Sequence, residues 1–239
     1  MAGDFEELWE SFDRTPDRIL VDVPIGLFDE DDDETGERGR RCDTLARNAL
    51  GSRSASVFTP PARQAAVRAR DGKSHEDVSE TNRDIVGKGL SIQAYHIAPG
   101  IAQMDSFLNS GNEAEMERRR ERVEEAHPEV CFVAFNGGEL EHPKTSAVGL
   151  GERLSVLENV ADDPAKTFRE ITRELAEHED EGDVTDVTAD DVLDALALAL
   201  TASANEDELR TIPENPPKDQ RRLPMQMVYR AESPLEVSR

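Results

Sequence analysis

The chain has 239 residues, of which 36% are hydrophobic and only 5% aromatic, so any core must rest on Leu, Val, Ile and Ala. Its 52 acidic residues outweigh 28 basic ones for a net charge of -24, and only five of the basic residues are lysines (Lys73, Lys88, Lys144, Lys166, Lys218). Such an acidic, lysine-poor surface suits a protein kept in solution at high salt, as in a halophilic archaeon, and argues against an acidic-tail function. Cys42 and Cys131 lack metal spacing and do not suggest a disulfide framework. No apolar run reaches ~18 residues and the N-terminus is acidic rather than a signal sequence, so a soluble, cytoplasmic protein is expected.

Taken in order, Phe5, Leu8, Trp9 and Phe12 form the stripe of an amphipathic helix within 4–12. Ile19 to Val23 is a short apolar run with β-branched residues, closed by Pro24, and reads as a buried strand. An acidic loop follows, with a run from Asp29 to Glu34. From Arg38 to Lys73 the composition inverts to nine basic and two acidic residues. Helices are expected over 41–50, 60–70 and 75–86. Pro99-Gly100 should break "LSIQAYHIAPGIAQMDSFL" into two short helices. A charged helix over 112–120 precedes a second strand from Arg122 to Ala126, with His127-Pro128-Glu129 at its end. "NGG" at 136–138 is a turn, 146–159 and 164–177 are helical, and "EHEDEGDVTDVT" is a polar linker. The helix "TADDVLDALALALTAS" (188–203) comes next, then a Pro-rich tail with a short strand from Met225 to Tyr229. Strands alternating with helices give the α/β class.

Two features point to chemistry. Asp22 lies at the C-terminal end of an apolar strand, where open α/β sheets place their sites. A carboxylate there needs a cation, a proton or the amides of the Pro24-Ile25-Gly26 loop. In the 188–203 helix, Asp190 and Asp191 suit the first turn beside a Thr188 cap, whereas Asp194 lies a turn further in among Leu193, Leu196 and Ala197. Asp191 and Asp194 are three apart and project from one face. Together with Asp22 they supply hard oxygen ligands for Mg²⁺ or Mn²⁺. Carboxylates holding two metals are one arrangement for in-line phosphodiester displacement. Arg41, Arg47, Arg53 and Arg63 follow the Asp22 strand and either guide a nucleic-acid backbone or balance the surplus acid. Nothing distinguishes DNA from RNA.

"DVLDALALALT" from Asp191 resembles the D-x-x-D-A-L-A helix of RuvC-type resolvases in the RNase H-like superfamily. "VDVPIGL" (21–27), "RRCDTLAR" (40–47), "LGSRSASVFTPPAR" (50–63) and "GKGLSIQAYHIAPGIAQMD" (87–105) widen the likeness. So do "EEAHPEVCF" (124–132), "GLGERLSVL" (149–157) and "PMQMVYR" (224–230). In this order they resemble the family of domain of unknown function 429, described from fold alone as RNase H-like nucleases. That resemblance implies an RNase H-like α/β fold spanning 1–239 as a single domain. Its core helix and strand would be 4–27, a basic helical insertion 28–120, a second core strand with helices 121–204, and the tail 205–239. It implies Asp22 on the fourth strand, Asp191 and Asp194 on the last helix, Glu129 as a further ligand or base, and His127 as an auxiliary group or a turn anchor. The three-stranded meander that opens such folds, with its central aspartate, is not found in this sequence, so either the start lies upstream of Met1 or the chain is a natural truncation. The strand at 19–23 would then expose an edge that invites homodimerisation. The expected function is a metal-dependent nuclease. The alternatives are a catalytically inactive nucleic-acid- or protein-binding module and a small-molecule phosphohydrolase.

Overall fold

A computed structural model describes residues 5–12, 16–29, 38–179 and 187–237. Asp4, the acidic run after Asp29 and most of the linker before Thr188 lie outside the described residues. The chain forms α1 (Phe5–Ser11), β1 (Ile19–Val21), α2 (Arg41–Leu50), a 3₁₀ helix (Gly51–Ser56), α3 (Arg63–Arg70), α4 (His75–Val86), α5 (Ile92–Leu108) and α6 (Glu113–Arg120). It continues through β2 (Val123–Glu125), α7 (Pro128–Asn136), α8 (Ala147–Leu157), α9 (Pro164–Glu179), α10 (Ala189–Ala202), β3 (Leu209–Ile212) and β4 (Met227–Arg230). The class is α/β. No helix among the described residues is long and apolar enough to cross a membrane.

The architecture follows from which apolar faces need cover. β1 and β2 pair in parallel, Ile19 opposite Val123 and Val21 opposite Glu125, and the helices α2 to α6 supply the long crossover a parallel pair requires. α10 packs on β1. The main core joins α2, α7, α8 and α10 to the β3–β4 hairpin, through Leu45, Phe132, Leu157, Leu193, Leu196 and Tyr229. α7 is apolar nearly all round (Val130, Cys131, Phe132, Val133, Phe135), as a helix buried on every side must be. Smaller clusters hold α3, α4 and α5 together, and α1 lays Trp9 edge-on against Phe107 at 5.9 Å.

Several elements depart from the sequence expectations. α5 runs unbroken through Pro99. Proline removes one helical hydrogen bond, a loss of ~3 kcal/mol in isolation. Here Ala94, Ala98, Ile101 and Ala102 bury a continuous face on both sides of it, mainly against α3, and that packing carries the helix through. Pro128 and Glu129 do not end a strand; they open α7, with Pro128 at the first helical position where its missing N–H is harmless. The tail strand is one arm of an antiparallel hairpin, with Leu209 opposite Arg230 and Ile212 opposite Met227.

Buried charge ties the helical crossover to the core. Arg63 ion-pairs with Asp29, Asp105 and Asp219, and Arg221 adds a 2.9 Å contact to Asp105. The turn after Asp22 needs Gly26, whose φ is 74°; a Cβ there would stand 2.7 Å from the Pro224 carbonyl oxygen. Next to it, Glu125 is buried, accepts the Ile25 N–H at 2.6 Å and pairs with Arg40. Burial raises its carboxyl, Arg40 opposes and Asp43 reinforces, and the net result is about 8. A raised carboxyl favours the folded state fully below the unfolded value of 4.5, and that contribution is lost as pH rises through about 8. Glu125→Gln should therefore flatten the dependence of the urea midpoint on pH between those limits. An unchanged slope would contradict this protonation.

Candidate active site

Asp22 follows directly on Val21, the last residue of β1, and His127 stands two residues beyond the end of β2. Both thus occupy the carboxyl ends of parallel strands. Asp22 reaches water on one side, yet protein crowds it enough that desolvation is the main influence raising its carboxyl, with His127 and Lys144 pulling it down. No hydrogen bond meets the Asp22 carboxylate among the described residues. Because Asp22 is exposed, solvent screens these charges and their energetic weight is modest.

Asp194 comes from the second turn of α10. Its side chain is 15% exposed, Oδ2 accepts the Lys144 ammonium at 2.6 Å, and Oδ1 is buried without a partner. Burial raises its carboxyl, Lys144 counters, and the negative charges of Asp22 and Glu129 raise it further. Asp22 and Glu129 thus lie within electrostatic reach of Asp194. Lys144 is held there in turn. Burial would lower its ammonium, but Asp194 and Asp190 outweigh burial and raise it.

Glu129, in the first turn of α7, is not open to a ligand. Arg153 grips both oxygens, with Nε to Oε1 at 3.0 Å and Nη2 to Oε1 and Oε2 at 2.6 and 2.7 Å, and Arg53 adds a contact at 3.9 Å. Arg153 is wholly buried and also donates to the carbonyls of His142 and Gly149. His127 sets Nε2 3.3 Å from the Ser56 carbonyl, while its Nδ1 is buried without a hydrogen-bond partner.

Asp191 lies outside this group. Its exposed carboxylate turns back to the Thr188 backbone N–H at 2.8 Å and to the Thr188 hydroxyl at 2.6 Å, closing the start of α10. The pair that shares the inward face is Asp190 and Asp194, four apart, and Lys144 bridges them at 3.5 and 2.6 Å. The Thr188 hydroxyl, chiefly, lowers Asp190. Asp191→Ala should thus cost about 1 kcal/mol of stability as a lost cap, read from urea unfolding; a change under a few tenths would remove the capping role.

The four arginines also part ways. Arg63 is spent on the buried network above. Arg53 donates to the Leu140 carbonyl at 3.0 Å beside Glu129, and Arg47 braces the Val57 carbonyl at 2.9 Å and Thr59 at 2.8 Å. Arg41 is exposed. Lys144 and Arg153 escaped the sequence reading. One signal existed for each: Lys144 is one of only five lysines, and Arg153 interrupts the apolar helix "GLGERLSVL".

Among the described residues no three His, Cys, Asp or Glu side chains gather closely enough to hold a metal by themselves. Asp22 and Asp194 remain as two carboxylates not fully satisfied by protein. The fold and this locus define an α/β protein with a group of carboxylates and one ammonium near the ends of two parallel strands. The chain belongs to the family described as Protein of unknown function (DUF429), whose model matches residues 1–218. Comparison with the curated proteins and with the solved structures gives no match.

Proposed function

We propose that this protein is a metal-dependent phosphodiesterase of RNase H-like fold acting on nucleic acid, with Asp22 and Asp194 at its centre. The observation that carries the reading is the buried, unpartnered Oδ1 of Asp194, within electrostatic reach of the unbonded carboxylate of Asp22. An orphaned buried carboxylate oxygen is costly unless a cation or donor meets it. Magnesium commonly uses only one or two protein carboxylates, keeping waters and substrate phosphate as its other ligands. Two hard, anionic donors fit Mg²⁺ or Mn²⁺ on that basis, and Glu129 is excluded as a ligand because Arg153 already holds both of its oxygens. The ion would supply Lewis acidity to the scissile phosphate and a water of lowered pKa. Lys144, within reach of Asp194, would stabilise negative charge on the phosphoryl oxygens. His127, electrostatically coupled to Asp22 and with one ring nitrogen unpartnered, would serve as the auxiliary group of the site.

A second reading has its own support. Lys144 already pairs with Asp194 and lies near Asp190, and Arg153 neutralises Glu129, as in a catalytically inactive binding module. Calorimetric titration with Mn²⁺ separates the two. The nuclease reading expects saturable binding to the wild type that Asp22→Asn weakens at least tenfold. Absence of Mn²⁺ binding by the wild type, with oligonucleotide binding retained, would favour the inactive module.

A further inference from the structure

A second feature is independent of the carboxylate locus. A cavity of about 540 Å³ opens beside the N-terminal half of α2, and its lining carries Arg38, Arg40, Arg41, Arg47 and Lys88 against a single acid, Asp43. Five cations to one anion leaves a local balance of +4 in a chain of net charge -24. Arg38, Arg41 and Lys88 are exposed, and among the described residues none of them forms an ion pair, although acid is plentiful.

Arg40 is the built part of this site. Its side chain is 2% exposed, and Nη2 is committed to Glu125 and to the Cys42 sulfur. Nε and Nη1 are buried with no hydrogen-bond partner, Nη1 standing 3.9 Å from Asp43. A buried guanidinium with two unsatisfied N–H groups is costly unless an acceptor reaches them, and a compact oxyanion is the acceptor that Arg takes with the best geometry. Arg47, braced by Val57 and Thr59, presents a second guanidinium held in place before any ligand arrives. The remaining wall is apolar, from Phe28, Pro60 and Val86, and the volume falls in the range of small-molecule sites. A bare inorganic anion would leave that wall unused; a phosphate carrying a planar ring would not.

We propose that this cavity binds the phosphomonoester group of a nucleotide-sized ligand, with Arg40 at its floor and Arg41 and Lys88 at its rim. The claim concerns binding alone and stands whether or not the carboxylate locus is catalytic. The test is calorimetric titration of the full chain with adenosine 5′-monophosphate, inorganic phosphate and adenosine. The monophosphate should bind, adenosine should not, and Arg41→Ala and Lys88→Ala should each weaken the monophosphate about tenfold through loss of one charge-assisted contact. Arg40→Met should abolish binding, and the two rim variants keep the test valid should that buried change fail to fold. Inorganic phosphate matching the monophosphate would assign the site to free phosphate; a tenfold preference for the monophosphate would assign it to nucleotides. Equal binding of adenosine and its monophosphate would overturn the proposal. So would rim variants within twofold of the wild type, or no binding of either phosphate by the wild type.

Discussion

Arg153→Ala should lower the unfolding free energy by about 3–5 kcal/mol, the loss expected when one partner of a buried ion pair is removed and the other stays buried. Arg153 has no exposed surface, makes three short contacts to Glu129, donates to two backbone carbonyls, and lies 5.5 Å from the centre of the Phe132 ring. For a chain of this size that stability loss corresponds to a fall in Tm on the order of 10 °C. Glu129 would keep only the more distant Arg53 contact at 3.9 Å. Arg153→Ala combined with Glu129→Ala should therefore be less destabilising than the sum of the two single changes, because the stranded carboxylate is gone. Urea unfolding of the four proteins measures this directly. A single-variant loss under 1 kcal/mol, or strict additivity, would show that the pair is not what orders α7 against α8.

The second large effect falls on Asp194. Asp194→Asn keeps the shape but removes the charge that holds Lys144 and the oxygen that would meet a cation. Hydrolysis by the proposed mechanism should fall at least about 100-fold, the scale seen when one group stabilising transition-state charge is lost. Lys144→Met separates the roles of this locus. Without its ammonium, Asp194 and Asp190 lose the one positive charge that now offsets part of theirs. Mn²⁺ should then bind more tightly while turnover falls, since the same ammonium would stabilise phosphoryl charge. Weaker Mn²⁺ binding in Lys144→Met would mean that the lysine supports the cation instead of competing with it.

Much of this architecture is written in local sequence. "RILVDVP" announces a strand ending at an acid because an apolar β-branched run stops at proline, and β1 stands there. β3 did not show itself: "LRTI" is four residues between an acidic stretch and Pro213, and its stability comes from "MVYR", more than a dozen residues away. The continuity of α5 was equally hidden, since Pro99 is a local signal and the alanine face that overrides it is a tertiary one. At the candidate site, Asp22, Glu129 and Asp194 were legible as acids at element ends. Their couplings were not, because Lys144 and Arg153 arrive from a distant loop and helix. Asp190 and Asp191 show the limit most clearly. Residues three and four positions from Asp194 share its face equally well. What decides between them is Thr188, which draws Asp191 into the cap. The T-x-x-D spacing was a sequence signal for that cap. Arg63 carried no such signal, as its three carboxylate partners are scattered from Asp29 to Asp219.

The acidic face of α10 thus divides into a cap residue and two residues facing Lys144. The most direct test of the proposed site is the rate of Mn²⁺-dependent cleavage of DNA and RNA oligonucleotides by the wild type, Asp194→Asn and Asp191→Asn, side by side. Cleavage by the wild type, its loss in Asp194→Asn and its retention in Asp191→Asn are predicted. Cleavage that persists in Asp194→Asn, or is lost in Asp191→Asn, would contradict the site built here.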